Sequence, residues 1–279
     1  MRQRIQSLRG ALYLLTLVLL AAGWVWAQGT TKDSAKNTKR SPTRVLFIGN
    51  SYTSAHDLPA LVRALGAADK PKVELIIDSI TPGGYTLEAH LAAEGPESPR
   101  ARIAGGRYDF VVVQEQSQRP LLEPSKMLDA ARVLSKELTA ANSTPIWYAT
   151  WARQAKPETQ ADLTKTYRTC HAELGGRLAA VGDAWQTVLQ AKSEKDRLVL
   201  HQADGSHPTA AGSYLAALVI YSTLTGRKVE GLPARLTEPL PKTNDRPTEE
   251  RVLVDLEPRV AKLLQQASTA TLDTRTKPR

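Results

Sequence analysis

Ser51 stands where an apolar, β-branched run, residues 44–48 (RVLFI), breaks at Gly49 and Asn50. A polar residue at the carboxyl end of a buried strand is where α/β folds carry their chemistry. Far downstream, Asp204, Gly205, Ser206, His207 and Pro208 set a carboxylate and an imidazole three positions apart, just before a long apolar stretch. A serine hydroxyl is a poor nucleophile until an imidazole accepts its proton, and the imidazole works best when a carboxylate holds its tautomer. Ser51, His207 and Asp204 supply those three parts, so the chemistry they predict is serine-dependent hydrolysis. A tetrahedral oxyanion also needs hydrogen-bond donors. The backbone N–H of Ser51, that of Gly83 or Gly84, and the side-chain amide of Gln116 are the candidates. Glycine suits this role because backbone there must approach the substrate closely.

Each assignment has a competitor. Ser51 taken alone could satisfy backbone donors in a strand-to-helix turn, Gly83 and Gly84 could form an ordinary turn, and Gln116 could bridge strands. His56 and His90 could line the pocket, whereas His171 and His201 have no comparable context. Asp204 could cap the helix after Pro208, with Asp183 or Asp78 orienting the base, but spacing favours Asp204. Around the end of the fourth apolar run, Trp147 and Tyr148 read as core. Trp151 and Arg153 beyond it, together with His90, are the predicted substrate contacts. Cys170 is the only cysteine, so no intramolecular disulfide can form; it reads as a small packing group.

The elements that must position these residues follow from hydrophobic periodicity. Apolar runs at residues 45–48, 73–77, 110–113, 145–149 and 178–181 predict strands. Helical patterns at 58–68, 126–141, 159–174 and 184–191 separate them. Strand alternating with helix predicts a parallel sheet of about five strands between helical layers. Residues 209–225 predict a largely buried helix with Pro208 at its first turn, and residues 248–266 predict a last helix.

The polar clusters form four blocks in order: Gly49-Asn50-Ser51, Gly83-Gly84, Gln114-Glu115-Gln116-Ser117, and Asp204-Gly205-Ser206-His207-Pro208. Over residues 44–226 this series resembles the SGNH (GDSL-like) hydrolase superfamily. Asparagine stands where the family's name motif has aspartate, and QEQS stands where the family shows G-x-N-D. Gln116 therefore takes the place of the asparagine that serves as oxyanion donor, with the amide kept and one methylene added. The resemblance implies a flavodoxin-like three-layer α/β/α sandwich, catalysis by Ser51, His207 and Asp204 with no metal or cofactor, and ester hydrolysis through an acyl-serine. The expected activity is that of an esterase or deacetylase removing short acyl groups from a carbohydrate or another small hydroxylated substrate. A non-catalytic carbohydrate-binding module on the same fold is the alternative. A nucleotide or flavin role ranks below both, because the first strand-to-helix turn lacks the glycine patterns that cradle phosphates.

Residues 1–27 read as a secretory signal peptide: Arg2, Arg4 and Arg9 precede an uncharged run that ends with Val25 at −3 and Ala27 at −1 of a cleavage point. Export to the periplasm or outside the cell follows, with membrane contact only through the leader if it is retained. Residues 28–43 are polar and read as a flexible linker, residues 44–268 as the hydrolase domain, and residues 269–279 as a disordered basic tail. The net charge of +9 would favour an anionic partner if the folded body carried it. Residues 45–268 hold 26 basic and 26 acidic residues, so no nucleic-acid partner is expected.

Overall fold

Thr43–Ile48 forms β1, and its last four residues are buried, as a strand flanked on both faces requires. The structure is a computed structural model that describes residues 41–191, 198–240 and 249–273. Four more strands complete a parallel sheet: β2 (Leu75–Ile80), β3 (Phe110–Val113), β4 (Thr144–Ala149) and β5 (Arg177–Ala180). The strand order is β2-β1-β3-β4-β5. Chain direction across the sheet therefore reverses between β1 and β3, and such a switch point opens a crevice at the carboxyl ends of the two strands. Register makes the crevice level, because Ile48 lies opposite both Ile80 and Val113. Residues following β1, β2 and β3 thus emerge side by side.

Helices cover both faces. In chain order they are α1 (Ser51–Ser54), α2 (Leu58–Ala68), α3 (Leu87–Ala92), α4 (Pro99–Gly106), α5 (Arg119–Leu122), α6 (Pro124–Ala140), α7 (Gln160–Leu174), α8 (Val181–Leu189), α9 (Ala210–Thr225) and α10 (Pro258–Asp273). One apolar core joins Val45, Phe47, Val112, Ile146 and Tyr148 to α2, α8, α9 and α10. The other joins Leu46, Ile48, Val111, Val113 and Trp147 to α6 and α7. Alternate residues of each strand feed opposite cores, and the result is a three-layer α/β/α sandwich. Residues 212–224 of α9 are all buried, because α2, α8 and α10 enclose it. Thr209 caps its N-terminus by accepting from the Gly212 N–H at 3.2 Å, so Pro208 sits one residue before the cap rather than in the first turn.

The predicted helix over 248–266 is corrected. Glu250–Asp255 is a strand, β7, antiparallel to β6 (Arg235–Pro239), and the helix begins only at Pro258. Val254 packs into the core at 3% exposure while Val252 is 45% exposed, and the contrast follows from an irregularity that shifts the register between Leu236 and Thr237. The second strand starts later than its apolar run implied, at Leu75, and carries on to Ile80. The short helices α3, α4 and α5 had no periodic signal; Thr86 and Ser98 cap the first two through their hydroxyls. The expected leader at 1–27, the linker up to residue 40 and the tail beyond residue 273 lie outside the described residues. Within the described part, α10 runs through to Asp273.

Candidate active site

The turn after β1 is built by amide hydrogen bonds. Asn50 caps α1, its Oδ1 accepting from the Tyr52 N–H at 3.1 Å, so Ser51 becomes the first helical residue and its own N–H has no intrahelical acceptor. Gln114, fully buried at the end of β3, clamps this turn. Its Oε1 accepts from the Asn50 N–H at 2.9 Å and from the Thr53 hydroxyl at 2.8 Å, and its Nε2 donates to Asn50 Oδ1 at 3.0 Å. Gly49 is needed here for space: a Cβ would fall within 2.6 Å of Gln114 Oε1 and nearer still to Thr53 Oγ1. Underneath, His90 Nε2 donates to the Gly49 carbonyl at 2.7 Å. His90 is 2% exposed and burial lowers its pKa, so it supports the turn and does not reach substrate.

Ser51, His207 and Asp204 come together at this turn. The Ser51 hydroxyl donates to His207 Nε2 at 2.9 Å, and His207 Nδ1 donates to Asp204 Oδ2 at 2.5 Å. A carboxylate only accepts, so the ring proton belongs on Nδ1 and Nε2 is left as the base facing the hydroxyl. Asp204 Oδ1 accepts from the backbone N–H groups of Ser206 and His207 at 2.9 and 3.0 Å. It therefore folds its own loop, while the helix-capping role falls to Thr209. The bond from His207, with those two backbone donors, holds the Asp204 carboxyl down to about 2. The rival groups are engaged elsewhere. Asp183 accepts from Thr164 and pairs with Arg168, Asp78 accepts from Tyr108 and pairs with Arg102, and His56 and His201 bond Ser213 and the Ala152 carbonyl.

Gly83 and Gly84 lie in the exposed turn after β2, with Gly84 at φ +74°, a conformation that favours glycine. Asn50 Nδ2 donates to the Tyr85 carbonyl at 2.9 Å, which ties this turn to the nucleophile turn. Gln116 Oε1 accepts from the backbone N–H groups of Gln118 and Arg119 at 2.7 and 3.1 Å. With the oxygen committed to two donors the orientation of the amide is settled, and its N–H₂ group is left free to donate.

Trp151 corrects an expectation. It is 1% exposed and lies between Tyr52 and Trp185, with ring centroids at 4.6 and 4.0 Å and planes within 6°. Its Nε1 donates to the Ser206 carbonyl at 3.0 Å, while the Tyr52 hydroxyl meets Ser206 Oγ at 2.7 Å. The loop that carries Asp204 and His207 therefore rests on an aromatic pile, which removes Trp151 from the substrate contacts. Arg153 is exposed in the same region. Tyr52, Trp185, Gln114 and Glu115 were missed as site residues. Polarity directly after the apolar strand β3 was a legible sign for the two at its end, but no local pattern marks an aromatic stack assembled from separate elements. Cys170 is buried on α7, and burial pushes its thiol up to about 12.

No protein-family model matches the chain, and no curated protein matches it in sequence. Solved structures do. A protein assigned to the SGNH hydrolases from Slackia heliotrinireducens is 28% identical, with a TM-score of 0.55 over 66% of this chain and 99% of that one. A DUF4886 family protein from Bacteroides uniformis is 17% identical, with a TM-score of 0.63 over 85% of this chain and 97% of that one. The acetyl xylan esterase AlAXEase is 14% identical, with a TM-score of 0.51 over 64% and 98%. The fold is that of the SGNH (GDSL-like) hydrolases, and the polar blocks at residues 49–51, 83–84, 114–117 and 204–208 lie along it in sequence order.

Proposed function

We propose that this protein is an exported serine esterase that cleaves short acyl groups, acetyl among them, from a carbohydrate or another hydroxylated alcohol. The observation that carries the reading is the unbroken hydrogen-bonded series from Ser51 Oγ through His207 to Asp204 at the switch point of the sheet. In this reading His207 Nε2 takes the hydroxyl proton as Ser51 Oγ attacks the ester carbonyl, and the imidazolium then returns the proton to the departing alcohol oxygen. Water, deprotonated by the same nitrogen, releases the acid and frees Ser51. The Ser51 N–H, the glycine turn and the Gln116 amide supply donors for the oxyanion; losing one such donor costs about 3 kcal/mol of transition-state stabilisation. The His207 and Asp204 side chains are 37% and 46% exposed. An open site of this kind suits a small acyl group on a bulky alcohol, the arrangement that the name of the acetyl xylan esterase neighbour also describes.

The test is hydrolysis of p-nitrophenyl acetate, butyrate and octanoate by the full chain beside Ser51→Ala. We expect serine-dependent turnover that falls with acyl length, and labelling by a fluorophosphonate in the wild type alone. Absence of both would transfer the site to the carbohydrate-binding reading, to be checked on a glycan array.

A further inference from the structure

We propose that Glu115 is the positioning residue that sets the oxyanion-binding wall of this site, because one of its carboxylate oxygens bridges the two chain segments that supply the donors. Glu115 Oε1 accepts from the Gln116 N–H at 2.6 Å and from the Leu87 N–H at 3.1 Å. The first bond fixes the backbone of Gln116, the candidate side-chain donor, and the second fixes the first residue of α3, three positions after Gly84. The inference rests on the esterase reading above.

The turn has little packing of its own. Gly83 and Gly84 are exposed and a Cβ at either would meet no atom within 4 Å, so beyond the bond from the Tyr85 N–H to the Pro82 carbonyl at 3.4 Å their placement depends on the restraints around them. Both restraints act on the C-terminal side of the glycines, where Asn50 holds the Tyr85 carbonyl and Glu115 holds the Leu87 N–H at the start of α3; on the N-terminal side the Gly49 N–H donates to the Ile80 carbonyl at 3.1 Å. The cost of this arrangement is visible. Glu115 is 1% exposed and its Oε2 has no hydrogen-bond partner among the described residues, a penalty that an apolar residue at the end of β3 would avoid. Burial raises the carboxyl pKa against the two backbone donors and the Arg119 guanidinium, with Glu88 reinforcing the rise. The Tyr167 hydroxyl accepts from the Glu115 N–H at 3.3 Å, so the backbone of the residue is pinned too and its carboxyl has little freedom to relax.

The experiment compares the full chain with Ser51→Ala, Glu115→Ala, Glu115→Asp and Glu115→Gln, reading kcat and KM on p-nitrophenyl acetate, amide hydrogen exchange at Leu87 and Gln116, and the thermal transition. A misplacement near 1 Å at a reacting centre costs about 100-fold, so Glu115→Ala is expected to lose about that much in kcat with KM changed far less. Exchange at both amides should quicken. Glu115→Gln keeps an acceptor oxygen in place and should recover most of the rate. Glu115→Asp is too short to reach both donors; if the alanine variant fails to fold, the aspartate variant should show the same kcat loss with an intact transition. Unchanged kcat in a folded alanine or aspartate variant overturns the proposal and leaves the esterase reading standing. A wild type without Ser51-dependent turnover overturns both.

Discussion

At the residue scale the arrangement separates accessible groups from buried supports. Ser51, His207 and Asp204 are all at least partly accessible, whereas Asn50, Gln114 and His90, which shape the turn around them, are buried. Asp204 has two jobs, orienting the ring and folding the loop, and both need the ionised form. Its folded-state pKa of about 2 lies below the ordinary 3.8. A depressed carboxylate pKa contributes stability that is present above the unfolded value and lost as pH falls through the folded one. The stability gap between wild type and Asp204→Asn should therefore persist from neutral pH down to about 4 and close between there and about 2. Denaturation midpoints across that range check it; a gap unchanged at pH 2 would mean that the carboxylate contributes nothing through its charge. In rate, the same substitution should cost orders of magnitude, up to about 10⁴-fold as in other serine triads.

At the element scale the decisive features are a strand end and an aromatic pile. β3 runs straight into Gln114, which clamps the turn after β1, and Glu115, which accepts from the Leu87 N–H at the start of α3. The pile of Tyr52, Trp151 and Trp185 joins α1, the loop after β4 and α8, and bonds the loop that holds Asp204 and His207 through Ser206. Trp151 and Trp185 are equally buried, yet only the Trp151 N–H holds a loop carbonyl; the Trp185 N–H has no partner among the described residues. Trp151→Phe should therefore cost about 1 kcal/mol more than burial alone predicts, from the lost hydrogen bond and the orphaned carbonyl, and should lower kcat. Trp185→Phe should cost less on both counts. Parallel thermal melts and ester assays decide it, and equal effects would reduce the pile to ordinary packing.

At the scale of the whole molecule, β1 couples the two cores. Adjacent residues Leu46 and Phe47 are both fully buried but belong to the cores on opposite faces. Leu46→Ala and Phe47→Ala should each cost about 3 kcal/mol and leave a single cooperative transition, seen as coincident unfolding curves by fluorescence and circular dichroism. Separate transitions would mean that the faces melt independently. Much of this architecture was legible in the sequence, since alternating strand and helix periods are local and a parallel sheet is their consequence. The chemical types were legible too: a serine after the first strand, a glycine pair after the second, amides after the third, and an Asp–x–x–His ahead of a buried helix. The β6–β7 ribbon was not, because a short apolar stretch beside a helical one carries no period long enough to separate them. Nor could the sequence choose by itself among five histidines and three aspartates, or tell that Trp151 is stacked in the interior while Arg153 is exposed. Those choices depend on strand register and on which helix covers which face. They are made by contacts between residues more than 100 positions apart, such as Ser51 with His207 and Tyr52 with Ser206, and only a closed tertiary structure brings such pairs within hydrogen-bonding reach.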